Sequence, residues 1–284
     1  MKNKVWFITG ASKGFGFEIA KAALASGDQV VATVRKDAEQ LSDRLGNKDR
    51  SLVVTLDVTR EAQVQAGVRA AIDRFQRIDV LVNNAGYGLL AATEEASSEE
   101  VKKQYETNVF GLLNVTQAVL PQMRQQASGH IINISSLFGY LNNVPGFALY
   151  GSTKYAIEGI SEGLATEVKA FGIKVTAVAP GLFTTDFASK DSYQSSAIIL
   201  DAYKDTVGAI RNHIGQLNGN QPGDPAKLAK VVVRLAASEA PPLHLPIGSD
   251  AIKNLRDKIA AITAEVKEWE PVSTNTGHDR TTGA

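Results

Sequence analysis

A tyrosine and a lysine one helical turn apart are the first candidates for chemistry in this sequence. Tyr150 and Lys154 stand four residues apart, a spacing that places two side chains on one face of a helix. A neighbouring ammonium favours the phenolate, so we expect the pKa of Tyr150 to fall toward neutral pH. Such a phenol can donate and accept a proton, which predicts general acid/base chemistry. Exposed helix surfaces carry similar pairs, so the pair alone does not decide the function.

A hydroxyl group is available to work beside this pair. Ser135-Ser136 directly follows the apolar run His130 to Ile134, which predicts a strand. A serine at that strand end could hydrogen-bond the same substrate oxygen as Tyr150.

A glycine-rich turn predicts a phosphate site. Thr9-Gly10-Ala11-Ser12-Lys13-Gly14-Phe15-Gly16 lies between a predicted strand and a predicted helix. Its glycines allow a tight turn and let a pyrophosphate approach the N–H groups that begin the helix. A tight turn with no ligand is the alternative.

Two further strand ends carry small or polar residues, Asn83-Asn84-Ala85-Gly86 and Pro180-Gly181-Leu182-Phe183-Thr184-Thr185. Each alone is an ordinary turn signal. All four signals, however, sit at the carboxyl ends of predicted strands, where ligands bind in doubly wound sheets. Unrelated polar residues on the surface would not all lie at this one edge of the sheet, so we expect one shared site.

The elements that position these residues alternate between short β-branched runs and longer helical segments, as in a parallel sheet covered on both faces. Predicted strands cover 5–9, 29–34, 51–56, 79–82, 130–134, 174–179 and 243–247. Predicted helices cover 15–26, 38–45, 61–75, 98–125, 150–171, 224–237 and 250–269, with Pro121 a candidate break. The sequence predicts an α/β, Rossmann-type single domain over 1–270. A mobile substrate loop of weak helical period is expected over 187–223, and a disordered tail over 271–284.

Composition excludes several classes of protein. The 284 residues are 44% hydrophobic and 21% charged, as in a globular domain rather than a disordered chain. Thirty basic and thirty acidic residues leave no net charge to hold nucleic acid or an anionic membrane. The absence of cysteine excludes disulfides and thiolate chemistry. With no signal peptide or membrane-spanning run evident, we expect a cytoplasmic protein.

The combined motif set resembles the short-chain dehydrogenase/reductase family, in its compact single-domain branch. The resemblance is strong over residues 3–185 and weak beyond them. The family pattern is present as Thr9 to Gly16, Asn83 to Gly86, Asn108, Ser136, Tyr150 with Lys154, and Pro180-Gly181. Within the family, the chain looks most like the hydroxysteroid and retinol dehydrogenase branch.

This resemblance implies roles for the catalytic residues. Tyr150 would act as general acid/base, and Ser136 would orient the substrate oxygen. Ser135 remains an alternative, because the loop before Tyr150 is one residue longer than expected. Lys154 would lower the tyrosine pKa and hold the nicotinamide ribose, and Asn108 would support a water in the proton relay.

The resemblance also implies a cofactor site. Thr185 would bind the nicotinamide carboxamide, and Asp57-Val58 would contact the adenine. The expected cofactor-binding residues are Gly10, Ser12, Lys13, Gly14, Phe15, Gly16, Arg35, Asp57, Val58, Asn83, Ala85, Gly86, Tyr150, Lys154, Pro180, Gly181 and Thr185.

The end of the second predicted strand indicates which nicotinamide cofactor is used. An NAD enzyme normally places a carboxylate there for the ribose 2'-hydroxyl, but this sequence has Val34 followed by Arg35 and Lys36. Lys13 can approach the same phosphate. We therefore expect NADP(H) to be preferred over NAD(H).

Together these features predict an NADP(H)-dependent carbonyl reductase or alcohol dehydrogenase, working as a homodimer or homotetramer. A non-catalytic NADP-binding regulator on the same fold is the alternative, and a nucleotide-sugar epimerase would need a larger C-terminal domain. The four histidines show no ligand spacing, so we expect no metal site. The acidic pairs Glu94-Glu95 and Glu99-Glu100 are expected to be solvated charges at a helix start.

Overall fold

Short apolar strands and the helices between them follow the predicted alternation closely in the computed structural model, which describes residues 3–184, 193–217 and 221–278. The strands are Val5–Ile8 (β1), Gln29–Val34 (β2), Ser51–Thr55 (β3), Val80–Asn83 (β4), Gly88–Leu90 (β5), Gly129–Ile134 (β6), Ile173–Pro180 (β7), Tyr193–Ser195 (β8) and His244–Ile247 (β9). The α-helices are Gly14–Ala25 (α1), Ala38–Leu45 (α2), Glu61–Phe75 (α3), Ser98–Tyr105 (α4), Gly111–Gln125 (α5), Ala148–Val168 (α6), Ala209–Leu217 (α7), Pro225–Ala236 (α8) and Ser249–Ser273 (α9).

Seven of the strands form one parallel sheet in the order β3-β2-β1-β4-β6-β7-β9. The strand order reverses between β1 and β4, whose residues Ile8 and Val82 pair. Parallel strands that diverge at such a point leave a crevice beyond their carboxyl ends. The predicted seven-stranded, doubly wound, single-domain fold is confirmed, and the crevice lies where the four motifs meet.

Each face of the sheet has its own apolar core, because side chains alternate along a strand. Trp6 and Ile8 of β1 pack on one face with α1, α2 and α8. Phe7 and Val5 pack on the other face with α3, α5 and α6. The two layers hold the strand ends rigidly beneath the crevice.

The predicted long helix over 98–125 is divided, but Pro121 does not divide it. A π-helical turn, Glu106–Phe110, separates α4 from α5, and α5 continues through Pro121 to Gln125. Proline costs an internal helix about 3 kcal/mol. The buried face formed by Val115, Val119 and Met123 offsets that cost.

The predicted substrate loop has more structure than its weak periodicity suggested. Within 193–217, β8 pairs in parallel with β5, and α7 covers nine residues. Between them lie a 3-10 turn, Asp201–Tyr203, and a π turn, Lys204–Gly208. A three-residue strand that pairs across some hundred residues leaves no periodic signal in the sequence. Positions 187–192 and 218–220 of the predicted loop lie outside the described residues.

The C-terminal helix is longer than predicted, because α9 continues through Pro271 to Ser273. The tail expected to be disordered from residue 271 therefore begins as helix. Proline leaves the carbonyl four residues earlier without a helical donor, and on this exposed helix water can supply one.

Among the described residues, no helix is both long and apolar enough to cross a membrane.

Candidate active site

The glycine turn between β1 and α1 has the backbone of an anion site. Gly10 and Gly14 have φ of 65° and 57°, a region that favours glycine. A Cβ on Gly16 would lie 2.6 Å from both the Asn84 side-chain nitrogen and the Gly10 carbonyl oxygen. Lys13 at the N-cap has no oxygen to cap the helix, and the first turn of α1 has no acidic residue. The free N–H groups and helix dipole therefore suit a pyrophosphate.

Asn84, which is not among the residues predicted to bind cofactor, holds this turn in place. Its side-chain nitrogen donates to the carbonyl oxygens of Thr9 at 2.9 Å and Gly10 at 3.0 Å. The Thr9 hydroxyl accepts from the backbone of Asn84 and Ala85 at 2.9 and 3.0 Å. Ala85 also lies so close to Gly10 that a Cβ there would approach the Ala85 Cα within 2.9 Å.

Asn83, which was predicted to bind cofactor, directs its side chain elsewhere. Its amide nitrogen donates to Thr116 and Asn133, both at 2.9 Å, inside the protein. The side chain therefore ties β4 to α5 and β6. The two-residue period of a strand places Asn83 and Asn84 on opposite sides, but only the position of the strand end shows which of them faces the turn.

Cations lie near the same turn. Arg35 is exposed directly after β2, as predicted. Arg44 of α2 donates to the Ser12 carbonyl oxygen at 2.8 Å and lies 4.0 Å above the centre of the Phe17 ring. Helical periodicity places Arg44 on α2 but does not show that its side chain reaches the turn, so Arg44 is not among the residues predicted for the site.

Asp57 and Val58 follow closely after β3, the strand that pairs with β2. The Asp57 carboxylate accepts from the backbone and hydroxyl of Thr59 at 3.0 and 2.8 Å. Val58 is buried, and its carbonyl oxygen accepts from Asn114 at 3.0 Å. The carboxylate is therefore engaged within its own turn, and contact with an adenine remains a prediction for both residues.

The Asn108 side chain holds the segment that follows β4. Its amide oxygen accepts from the Tyr87 backbone at 3.0 Å, and its nitrogen donates to the Tyr87 carbonyl at 2.9 Å and the Thr153 hydroxyl at 3.1 Å. A Cβ on Gly86 would lie 3.0 Å from the Asn108 oxygen. The amide is thus committed to protein partners, and support of a relay water by Asn108 stays a prediction.

Ser136 and Tyr150 meet beneath the crevice. Tyr150 is 6% exposed. Burial raises its pKa above the usual value, and a hydrogen bond with the Ser136 hydroxyl opposes that rise. The prediction of a lowered tyrosine pKa is therefore wrong for this arrangement, because desolvation outweighs any favourable charge.

Lys154 is buried one turn further along α6. Its ammonium donates to the Ile134 carbonyl oxygen at 2.8 Å. Burial lowers the lysine pKa to about 8, and the nearby Glu158 carboxylate opposes that change. Burial also raises the pKa of Glu158, which lies 3.0 Å from His244 Nδ1. The ammonium of Lys154 is therefore close to losing its proton at mildly alkaline pH. It lies in a small group of polar side chains with Glu158 and His244.

The geometry distinguishes the two serines. The Ser136 hydroxyl lies beside Tyr150 and lowers the pKa of that phenol, whereas the Ser135 hydroxyl lies beside Glu158 and lowers the pKa of that carboxyl. A Cβ on Gly139 would lie 2.6 Å from the Ser135 hydroxyl and 3.2 Å from the Lys154 carbonyl oxygen. The turn that carries Ser136 thus packs directly on α6, which fixes the serine against the tyrosine.

A cleft of about 790 Å³, open to solvent, lies above Ser136 and Tyr150. Asp250 shapes its rim, because its carboxylate accepts from the Leu182 backbone at 2.6 Å and leaves no room for a Cβ on Gly181. Thr185 lies outside the described residues. The cleft is lined mainly by apolar groups: Phe15, Ser135, Ser136, Leu137, Phe147, Tyr150, Pro180, Gly181, Leu182, Phe183, Tyr193, Ile214 and Gln221.

One acidic pair differs from prediction and supports the wall of the cleft. Glu94 and Glu99 are exposed, as expected. Glu95 is fully buried and forms a two-pronged ion pair with Arg211 of α7. Burial alone would raise the pKa of Glu95, but hydrogen bonds from Arg211 and two backbone N–H groups hold it below its usual value. Because Arg211 lies 116 residues away, no local pattern in the sequence indicates this pair.

Glu100 is likewise not simply solvated. It forms a capping box with Ser97 at the start of α4 and accepts from the Ser196 hydroxyl at 3.1 Å. It therefore joins α4 to the segment after β8.

Within 3–184, 193–217 and 221–278, no three histidine or acidic side chains are grouped to hold a metal ion.

Comparison with known proteins gives relatives along almost the whole chain. The chain is 40% identical over 272 residues to Oxidoreductase BOA17 of Botryotinia fuckeliana, covering 95% of this chain and 98% of the relative. It is 36% identical over 271 residues to a 3-ketodihydrosphingosine reductase of Bacteroides thetaiotaomicron, covering 95% and 94%.

Solved structures share the fold. A short-chain dehydrogenase from Streptomyces avermitilis is 42% identical with a TM-score of 0.89, covering 97% of this chain and 100% of that one. ElxO with NADP bound is 29% identical, with a TM-score of 0.73 over 89% of this chain and 100% of its own. A 3-ketoacyl-(acyl-carrier-protein) reductase from Brucella melitensis, complexed with NADH, is 26% identical with a TM-score of 0.73, covering 88% and 99%.

The family model described as short chain dehydrogenase matches residues 4–195. That span contains the glycine turn, Asn84 with its neighbours, Ser136, and the pair Tyr150 and Lys154. The chain is an oxidoreductase that belongs to the short-chain dehydrogenase family.

Proposed function

We propose that this protein is an NADP(H)-dependent oxidoreductase that interconverts a ketone or aldehyde and the corresponding alcohol. The observation that carries the proposal is that Ser136 and Tyr150 lie together in the lining of an apolar cleft, with Lys154 one turn away on α6. These three groups combine an oxygen binder, a proton donor and a cation, which is what carbonyl reduction requires.

The residues present fit a nicotinamide dinucleotide. The turn from Gly10 to Gly16 would hold the pyrophosphate, since its free N–H groups begin α1 and Gly16 has no space for a side chain. Arg35 and Lys13 would bind the adenosine end, and Lys154 the nicotinamide ribose. When bound, the cofactor supplies or accepts the hydride.

The chain itself handles the oxygen and the proton. Ser136 donates a hydrogen bond to the carbonyl oxygen and orients it toward Tyr150. The Tyr150 hydroxyl gives its proton to that oxygen during reduction and takes it back during oxidation. Burial keeps the phenol protonated at neutral pH, which supports reduction. Oxidation needs the phenolate and is therefore favoured as pH rises.

Lys154 stabilises the phenolate form of Tyr150. Its ammonium lies 5.7 Å from the centre of the Tyr150 ring, inside a region that water hardly reaches. A cation at that distance stabilises a negative charge on the tyrosine as the proton leaves.

Cations support the choice of NADP(H). Val34 stands where NAD enzymes normally carry a carboxylate, the exposed Arg35 follows it, and Arg44 brings a second guanidinium to the glycine turn. A planar guanidinium can bind a ribose 2'-phosphate through two parallel hydrogen bonds. The NADP-bound structure of ElxO is consistent with this choice, although the Brucella relative binds NADH.

The cleft supports an apolar carbonyl substrate. Phe147, Tyr193 and Ile214 face the space above Tyr150, and burying apolar surface there contributes about 25 cal/mol per Å². The Bacteroides relative, a 3-ketodihydrosphingosine reductase by name, agrees with a ketone substrate.

A carbonyl screen tests the proposal. NADPH absorbance is followed for the wild type with ketones and aldehydes of increasing apolar chain length. We expect reduction, with kcat/KM rising with chain length, and a loss of at least about tenfold in Ser136→Ala, since one charge-developing hydrogen bond is worth a few kcal/mol. Ser135→Ala is the matched control and should retain activity. Absence of reduction with every compound, while NADPH still binds, would favour the non-catalytic alternative.

A further inference from the structure

The C-terminal helix extends beyond the body of the protein with its apolar side chains uncovered. In α9, Ala251 is buried at the base, but from Ile259 to Ser273 every residue is exposed. Trp269 is 60% exposed and Ile259 57%. A continuous apolar surface of this kind on a globular protein marks an interaction site.

The uncovered side chains have the spacing of a helix-pairing seam. They follow one another at alternating steps of three and four residues, the repeat of a two-helix coiled coil. This seam consists of Ile252, Leu255, Ile259, Ile262, Val266 and Trp269. Leu255 is partly buried against the protein's own body, and the other five are exposed. A seam of this kind is normally covered by a second helix, in this case along about 18 residues.

Charges beside the seam indicate what that second helix is. Arg256 and Lys258 flank its first half, and Glu265 and Glu270 flank its second half. A copy aligned in parallel would bring glutamates together, since Glu265 would face Glu270 of the other helix. An antiparallel copy reverses this relation, so each basic half meets an acidic half.

The antiparallel register that aligns the seam also brings opposite charges close together. With Ile259 opposite Ile262 of the other copy, the position directly opposite Lys258 is Thr263, and Glu265 lies two residues, about 3 Å along the helix axis, further along the same flank of the seam. In the same register, Ile252 lies opposite Trp269. One alignment thus satisfies both the ion pairs and the apolar layers, and a two-fold axis passes between residues 260 and 261.

We propose that α9 pairs antiparallel with α9 of a second copy of this chain and joins two molecules into a dimer. A self-complementary surface with two-fold symmetry closes on itself and does not extend into a fibre. A membrane surface is the weaker fit, because α9 has four basic and five acidic residues and so carries no net positive charge. The proposal does not depend on the proposed activity.

Engineered cysteines test the geometry, because the natural chain has none. Chains carrying Ile259→Cys and chains carrying Ile262→Cys, with tags of different length, are co-expressed and oxidised gently. We expect a mixed disulfide between the two chains, whereas Ile259→Cys alone should not cross-link. A disulfide in Ile259→Cys alone would indicate parallel pairing, and absence of the mixed disulfide would exclude the antiparallel pair. Either result overturns the proposal.

Charge exchange tests the register by sedimentation equilibrium. Lys258→Glu and Glu265→Lys should each weaken dimerisation about fivefold or more, and the double variant should restore it, because the ion pairs form again with exchanged sign. Lys253→Glu and Glu268→Lys, on the outer side of α9, are matched controls and should change little. Thermal unfolding confirms that each variant folds. A double variant as weak as the single variants would contradict the register.

Discussion

The ammonium nitrogen of Lys154 lies 5.7 Å from the centre of the Tyr150 ring. Both side chains are buried, and both belong to one face of α6. Burial acts on them in opposite directions, since it raises the pKa of Tyr150 and lowers that of Lys154 to about 8. The helix therefore carries a protonated phenol beside a cation that is close to losing its charge.

The lowered lysine pKa predicts how stability changes with pH. Between about pH 8 and pH 10, the folded protein has released the Lys154 proton while the unfolded chain still holds it. The unfolded state then binds more protons, so the free energy of unfolding gains up to about 1.4 kcal/mol per pH unit from this group as pH rises. Above pH 10 the raised pKa of Tyr150 acts in the opposite sense.

Lys154→Met removes this contribution. Urea unfolding at several pH values from 7 to 10 should show the free energy of unfolding rising more steeply in the wild type than in the variant. Lys253→Met, at an exposed position of α9, is the control and should follow the wild type. Parallel curves for wild type and Lys154→Met would contradict the lowered pKa of the buried Lys154.

The ion pair between Glu95 and Arg211 predicts a loss of stability on truncation. Arg211→Met leaves a buried carboxylate without its cation, which costs several kcal/mol deep in a protein. Arg211 is itself 14% exposed, so water reaches the cation's side of the pair and we expect a loss of about 1–3 kcal/mol. Glu95→Gln combined with Arg211→Met should recover part of that loss in urea unfolding. A single variant within about 0.5 kcal/mol of wild type would mean that the pair is structurally unimportant.

The fold could be read from the sequence wherever the signal was local. The alternation of β-branched runs with helical periods located every strand of the large sheet to within one or two residues. The pair of β5 and β8 could not be found, because Gly88 and Tyr193 meet only in the folded chain. Glu95 was misassigned for the same reason, since its partner Arg211 arrives from a distant helix.

The site was predictable as a set of residues but not in its electrostatics. Tyr150, Lys154 and Ser136 do lie together, because motifs at the carboxyl ends of parallel strands must converge. The sign of the tyrosine pKa shift was wrong, since spacing reports the distance to a charge but not the depth of burial. Asn84 and Arg44 were missed because their roles depend on side-chain direction.

Arg35 is expected to set the cofactor preference. A charged hydrogen bond to the 2'-phosphate is worth about 1.5–3 kcal/mol, roughly 10-fold to 100-fold in affinity. We therefore predict a preference for NADPH of that size in kcat/KM, which Arg35→Ser should largely abolish while leaving NADH use nearly unchanged. Lys48→Ser, on the exposed turn after α2, is a control. A wild type that prefers NADH, or an unaltered preference in Arg35→Ser, would overturn the assignment.

The most direct test of the proposed chemistry is the turnover of Tyr150→Phe with a carbonyl substrate found in the NADPH screen. The substitution removes the phenolic proton and keeps the ring that packs against Phe147 and Phe138. We predict a kcat lower by about 100-fold to 10,000-fold, the usual contribution of general acid/base catalysis, with NADPH affinity unchanged. A variant that kept more than about a tenth of the wild-type kcat, with chemistry rate-limiting, would contradict the role of Tyr150.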